Sequence, residues 1–279
     1  MGSLSTKDIC DLLEDLAPTS LAEPWDNVGL LVGNPASPVS SILVGLDPVG
    51  ALLDEAVAIQ ADLIITHHPV IFHPLHALRT DLPMGGLLAR ALSAGITMVA
   101  CHTNLDSAVN GVNDILAARL ALKATRPLKT HAADNGCGIG RIGTLATPVA
   151  GEAFLSRVLD ALGVAHVRFS GKLPERIATV AVCGGSGDDF TQAAFDAGAD
   201  LYLTGEIKLS TARWAEEAGF CVVDAGHYAT ELPVVGHLAG IISLHLKKQG
   251  HHLPVAASTR QKDPFHIFHH PMQTGKQQP

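Results

Sequence analysis

The sequence is short of charge and of aromatic rings. Asp, Glu, Lys and Arg make up 16% of its 279 residues, and Phe, Trp and Tyr only 4%. So low a charge density excludes a solvated disordered chain, and the 47% of apolar residues is enough to build a large core. Positive charge is the scarcer sign: 19 Lys and Arg stand against 27 Asp and Glu, a net charge of −8. That disfavours sequence-independent nucleic-acid binding, which needs a cationic field. Cysteine is scarce as well. Cys10, Cys101, Cys137, Cys183 and Cys221 stand apart with no C-x-x-C pair. This excludes a disulfide scaffold and a thiolate zinc site, and suits a reducing compartment. Long apolar runs are missing too. Asp8, Asp11, Glu14 and Asp15 break any signal-peptide core near the start. The best membrane-spanning stretch, Leu82 to Ala100, is interrupted by Arg90 and several glycines. The expectation is a cytoplasmic protein with no membrane partner.

What the chain does have is histidine. Its fifteen histidines outnumber Phe, Tyr and Trp together, so where they fall decides the functional reading.

The length suits two α/β units or one large one. Ser5 or Thr6 can cap a first helix whose Ile9, Leu12, Leu13 and Leu16 form one apolar stripe, ended by Pro18. A loop carrying Trp25-Asp26-Asn27 follows. Strands and helices then alternate: a strand over Ser41–Leu46, Asp47-Pro48 as a helix cap with a first-turn proline, a helix over Ala51–Gln60, and a buried strand over Ala61–Thr66. The pattern continues with a helix over Met84–Ala94, a strand over Ile96–Cys101 and a helix over Val112–Leu122. This order predicts an α/β fold with a mostly parallel sheet covered on both faces.

Lys123 to Asn135 is polar and reads as the passage to a second unit. Beyond it, Gly136–Thr147 reads as a glycine-rich edge strand and Glu231–Lys248 as a long helix. The units are assigned to residues 1–125 and 126–265, with room for the C-terminal segment to pack back on the first, and residues 266–279 as a loose tail. The halves echo each other. Ala61-Asp62-Leu63-Ile64-Ile65-Thr66 resembles Ala199-Asp200-Leu201-Tyr202-Leu203-Thr204, and a strand, a histidine and an acid four residues later recur as His102/Asp106 and His227/Glu231. Two similar units with mostly parallel sheets, packed face to face, would bring their strand ends to one central cleft.

Thr66-His67-His68-Pro69 ends a buried strand, where open α/β sheets bind ligands. Adjacent side chains on an extended chain point apart, so His67 and His68 suit two neighbouring ions better than one. A lone His-His pair is more simply read as structural. The two echoed pairs shift that balance, because each adds an imidazole and a carboxylate just past a strand. Pro233 fits only a first helical turn, so Thr230 is the expected cap of the last helix, with His227 in the turn before it. Glu231 at the helix start also has a structural reading, since the helix dipole favours a carboxylate there. Imidazole and carboxylate without thiolate suit Zn, Fe, Mn, Ni or Co. Two divalent ions roughly 3.5–4 Å apart are normally bridged by a carboxylate, and Asp106 and Glu231 are the available bridges.

Together with Trp25-Asp26-Asn27-x-Gly29, Gly140-Arg141-x-Gly143, Gly184-Gly185-Ser186-Gly187, Thr204-Gly205-Glu206 and Asp263-Pro264-Phe265, these motifs resemble the GTP cyclohydrolase I type 2 homolog family, the YbgI-like dinuclear metal proteins. The resemblance spans nearly the whole chain. It implies metal ligands at His67, His68, Asp106, His227 and Glu231, two ions per chain in a cleft between two α/β domains, and a ring-like homo-oligomer, usually a hexamer. The chain departs from the pattern at Ser210, where many members carry a histidine.

His102 is left as a proton carrier or an outer partner of the ligands. Trp25, Asp26, Asn27 and Glu206 are candidates for the substrate cleft. The Cys183–Asp188 turn reads better as a tight strand-to-helix turn than as a phosphate cradle, since it matches neither G-x-G-x-x-G nor the P-loop. His251-His252 and His269-His270 read as exposed or oligomer-contact residues. The first functional reading is a hydrolase-type protein in which metal-activated water attacks an unknown, nucleotide-like or other, small-molecule substrate. The family name points to GTP ring opening, which the spacing does not support. The alternative is non-catalytic: metal storage, metal delivery or a regulatory ring scaffold.

Overall fold

The computed structural model describes residues 4–131 and 136–268. The pair His269-His270 and most of the assigned tail lie outside the described residues. The first half of the chain forms β1 (Leu4–Ser5), α1 (Thr6–Leu16), β2 (Gly29–Val32), β3 (Pro38–Val39), β4 (Ile42–Gly45), α2 (Gly50–Ala58), β5 (Leu63–Thr66), α3 (Pro83–Ser93), β6 (Thr97–Ala100), α4 (Thr103–Ser107) and α5 (Val112–Arg119). The second half forms β7 (Lys123–Thr130), β8 (Gly138–Ala150), α6 (Gly151–Leu162), β9 (Arg168–Ser170), β10 (Arg176–Val182), α7 (Thr191–Asp196), β11 (Leu201–Thr204), α8 (Leu209–Ala218), β12 (Cys221–Asp224), α9 (His227–Glu231), α10 (Pro233–Lys248) and β13 (Val255–Ala257).

Two main sheets result. In the first, β13, β4, β5 and β6 run parallel and β2 closes the edge antiparallel. The second has the order β7-β8-β10-β11-β12-β9 and is mixed. Only β10, β11 and β12 run parallel, while β7, β8 and β9 join antiparallel. The expectation of mostly parallel sheets therefore fits the first sheet and fails for the second. Part of the cause is the polar stretch after Leu122; β9 adds a second antiparallel edge at β12. Lys123–Thr130 is a strand paired along β8, so the stretch read as a plain passage is itself the sheet edge, and Gly138–Ala150 is interior. Pro127 is tolerated because an edge strand can turn a missing N–H outward.

Apolar side chains alternate across each sheet. In the first, Ile42, Val44, Leu63, Ile65 and Val99 face α1 and α10, while Leu43, Ile64 and Met98 face α2 and α3. Helix α5 crosses over: Leu116, Ala117 and Leu120 pack in the core of the second sheet. The chain crosses back after Asp224, where α10 and β13 join the core of the first sheet. The repeated A-D-L motif has a structural cause. Asp62 Oδ2 accepts from the Ser40 and Ser41 amides at 2.7 and 3.1 Å, and Asp200 Oδ2 accepts from the Ala178 and Thr179 amides, both at 2.8 Å. In each half this carboxylate ties the start of its own strand to the preceding one, to the residues leading into β4 in the first half and to residues inside β10 in the second.

Candidate metal centre

The carboxyl ends of β5, β6, β11 and β12 meet at one cluster. His67 and His68 follow β5, His102 and Asp106 lie at β6 and α4, and His227 and Glu231 lie at the two ends of α9. The last helical run thus starts at His227, not at a Thr230 cap. Thr230 instead uses its hydroxyl inside the turn, donating toward Gly226 O and accepting from the Gly185 amide at 3.0 Å. This places His227 and Glu231 one helical turn apart on the same face.

Every imidazole of the cluster is held through Nδ1. His67 Nδ1 donates to Cys101 O at 2.9 Å. His68, His102 and His227 donate to Asp47, Asp26 and Glu206, each at 2.8 Å. A carbonyl or carboxylate partner fixes the proton on Nδ1 and leaves the Nε2 lone pair free to bind a metal. The Nε2 atoms and the carboxylates then converge. His67 Nε2 lies 3.7 Å from Asp106 Oδ1 and 3.6 Å from Glu231 Oε1. His68 and His227 Nε2 lie 3.3 and 3.1 Å from Glu231 Oε2.

The arrangement fits cations. His67 Nε2, His227 Nε2, Asp106 Oδ1 and Glu231 Oε2 are buried and have no hydrogen-bond partner among the described residues, a costly state unless something positive sits between them. Three groups have donor atoms within 4.8 Å of one another: His67, Asp106 and Glu231; His68, His227 and Glu231; and His67, His68 and His102. Glu231 is shared by the first two, one oxygen toward each histidine set. The protonation energetics agree. Burial alone would lower His68 and His227, but Asp47 and Glu231 raise the first to about 10, and Glu231 and Glu206 raise the second to about 9. Burial pushes Asp106 up, whereas Glu231, although buried, is held well below the usual carboxylate range by His67, His227 and His68. A pocket that binds protons this strongly without metal has negative potential in excess.

The glycines of the Cys183–Asp188 turn bring backbone against the cluster. A Cβ on Gly185, whose φ is +64°, would stand 2.1 Å from Glu231 Oε1, and one on Gly205 would stand 2.6 Å from His227 Cα. The turn cradles no phosphate through its glycine amides: Gly184, Gly185 and Gly187 donate to Asn113, Thr230 and Thr204. Asn113 is fully buried and ties the halves together, since its Nδ2 donates to Asp106 O at 3.0 Å while its Oδ1 accepts from Gly184.

The candidates for the cleft divide. Trp25 is exposed beside His102, their rings 6.1 Å apart. Asp26 holds His102 and Thr103, Asn27 donates to Ile71 O and so anchors the loop between β5 and α3, and Glu206 holds His227. Ser210 is exposed in the first turn of α8 and belongs to none of the donor groups, nor do His251 and His252. Asp47 was misread: α2 starts at Gly50 with no side-chain cap, and the Asp47 carboxylate serves His68. Its place at the end of β4, next to β5, is the signal that could have shown this. His227–Lys248 is the one helical stretch among the described residues long and apolar enough to cross a membrane, and half of it is buried in this fold.

Fold and site together define a two-sheet α/β protein with a histidine–carboxylate cluster that could hold metal where its strand ends meet. Residues 4–264 match the Duf34/NIF3 (NGG1p interacting factor 3) family, and the chain belongs to it. A Clostridium acetobutylicum protein named GTP cyclohydrolase 1 type 2 homolog is 34% identical over 264 residues, which cover 94% of this chain and 98% of the relative. Among solved structures, a hypothetical protein of Staphylococcus aureus superposes with a TM-score of 0.90 at 27% identity, covering 96% of this chain and all of that one. A Bacillus cereus protein related to NIF3 gives 0.90 at 25% identity over the same shares.

Proposed function

We propose that the chain is a dinuclear metal protein of hydrolase type. In this reading His67, Asp106 and Glu231 hold one divalent ion and His68, His227 and Glu231 hold the other, with His102 beside them, its donor atom grouped with those of His67 and His68. The observation that carries it is the shared Glu231, whose two oxygens face two different histidine sets. Bound divalent ions at such a site supply Lewis acidity and an activated water. The chain's own residues supply the rest. Asp47, Glu206 and Asp26 fix the imidazole orientations, and His102, with Nδ1 on Asp26, has only its other ring nitrogen with which to carry a proton or join the ligands. Zn, Fe, Mn, Ni and Co all suit the donor set. The name of the relatives suggests a purine nucleotide as substrate. The reading also includes a cytoplasmic homo-oligomer, most simply a hexamer.

The test is metal analysis of protein purified without added metal, followed by a screen of esters, amides, phosphoesters and nucleotides with that metal restored. Turnover that falls in Glu231→Gln and Asp106→Ala is expected. Binding and release of metal with no turnover across the screen would favour storage or delivery.

A further inference from the structure

His68 takes its aim from a carboxylate that no strand or helix holds. Asp47 lies between the end of β4 at Gly45 and the start of α2 at Gly50. One of its oxygens meets His68 Nδ1 at 2.8 Å, and the carboxylate makes no further hydrogen bond among the described residues. The other histidine holders on the first sheet are better fixed. Asp26 Oδ2 accepts from both the amide and the hydroxyl of Thr103. Cys101, whose carbonyl holds His67, donates its own amide to Thr66 O at 2.9 Å. The direction of the Asp47 side chain therefore depends on how its main chain is held.

That hold comes from the far end of the sequence. β13 pairs with β4 as far as Ala257 and Val44, and the Ser258 amide donates to Val44 O at 2.7 Å. Leu46 lies beyond this ladder and is fully buried, so its amide needs an acceptor. Gln261 supplies one. Its side-chain oxygen accepts from the Leu46 amide and its nitrogen donates to Asp47 O, each at 2.6 Å. The partners assign the two amide atoms, since an N–H must meet oxygen and a carbonyl must meet an N–H. On the opposite edge Leu46 O accepts from the His68 amide at 3.0 Å, so Gln261 closes the outer side of the same short segment. The Val49 amide also donates to Asp47 O at 2.9 Å, but that bond lies within the turn and moves with it. The fit is close: a Cβ on Gly45 would stand 2.8 Å from the Gln261 oxygen. The segment carrying Gln261 has its own anchor in Glu55, which accepts from the Ser258 hydroxyl at 2.5 Å and the Thr259 amide at 3.0 Å.

We propose that Gln261 is a positioning residue of the metal centre. It fixes the main chain at Leu46 and Asp47 and, through the Asp47 carboxylate, aims His68 Nε2 at the ion that His68 shares with His227 and Glu231. The proposal rests on the dinuclear reading for that ion, and on the hydrogen bonds alone for the link from Gln261 to His68.

Gln261→Met keeps the length of the side chain and removes both bonds. Wild type, Gln261→Met, Asp47→Ala and the double variant are loaded with Co(II), and metal content, chelator competition and the visible cobalt spectrum are measured on each. Gln261→Met should weaken one binding step by about tenfold and shift the cobalt bands. The other step should stay within about twofold, as an independent site does. Asp47→Ala should weaken the same step by roughly 10–100-fold. The double variant should be no weaker than Asp47→Ala, because Gln261 acts through Asp47. Gln261→Glu still accepts from the Leu46 amide but faces Asp47 O with an oxygen, so it should weaken that step too, and it serves if Gln261→Met does not fold. A merely structural role would lower thermal stability and leave step and spectrum unmoved. Unchanged affinity and spectrum, or fully additive losses in the double variant, overturn the proposal and leave the dinuclear reading standing. One ion per chain in the wild type contradicts that reading instead. Gln261 is then judged by crystal structures of the metal-free wild type and Gln261→Met: a broken Asp47–His68 bond in the variant supports the proposal, and an unchanged one overturns it.

Discussion

His102 sits where the two donor descriptions diverge. Its Nδ1 is committed to Asp26, and its other ring nitrogen lies with those of His67 and His68. His102→Ala should lower metal affinity as severely as Asp106→Ala if it binds an ion, and by about 10–100-fold if it acts from outside the ligand set. Asp26→Asn and Asp47→Asn leave the ligand atoms in place and loosen only their orientation, so each should fall in that milder range, while His251→Ala changes nothing. Competitive chelator titration separates these outcomes. The same imidazoles make the metal-free protein sensitive to base. His68 and His227 are raised from 6.5 to about 10 and about 9. The folded state therefore binds more protons than the unfolded state between those values, and the stabilisation is full below about pH 6.5 and lost as pH rises through 9 to 10. Melting temperatures of the metal-free protein should fall across that window, and the loaded protein, whose imidazoles carry metal in place of protons, should lack this fall. Equal slopes in both forms would show that these histidines do not exchange protons for metal.

Between residues and whole molecule stand the turns that press elements together. Gly185→Ala would add a methyl 2.1 Å from Glu231 Oε1 on a backbone at φ +64°. It should displace Glu231 and cost about 1 kcal/mol or more in stability, whereas Gly198→Ala, also at positive φ but with open space around it, should cost only the backbone strain and keep the metal. Asp200→Ala and Asp62→Ala strip the acceptor from paired strand amides, and each should lower the unfolding free energy read from denaturant titration by about 1–2 kcal/mol without changing metal content. The strands behind these turns were legible because β4, β5, β6, β11 and β12 are buried apolar runs bounded by Asp, Gly and His. Lys123–Thr130 was not, because an exposed edge strand of Lys, Arg and Thr has no apolar alternation to read. Asp47 was misassigned because Asp-Pro carries the same signal whether it caps a helix or orients a histidine.

At the scale of the whole chain, the five clustered ligand candidates were legible from spacing, since each follows a buried strand and the halves repeat. The carboxylates behind them were not, because Asp26, Asp47 and Glu206 reach their histidines across 76, 21 and 21 residues of chain. Nor was the exchange of α5 and α10 between the sheets, because an apolar helix stripe does not state which sheet it covers. Leu75, Leu78 and Leu82 are exposed between β5 and α3. The proposed homo-oligomer should show in light scattering as an assembly, and a stable 29.1 kDa monomer would count against it. The central claim is narrower: two ions share Glu231. Elemental analysis of metal-saturated wild type and Glu231→Gln tests it directly. The account predicts two ions per chain in the wild type and at least one lost in the variant, with the fold intact by circular dichroism. One ion in the wild type, or two tightly held ions in Glu231→Gln, would contradict it.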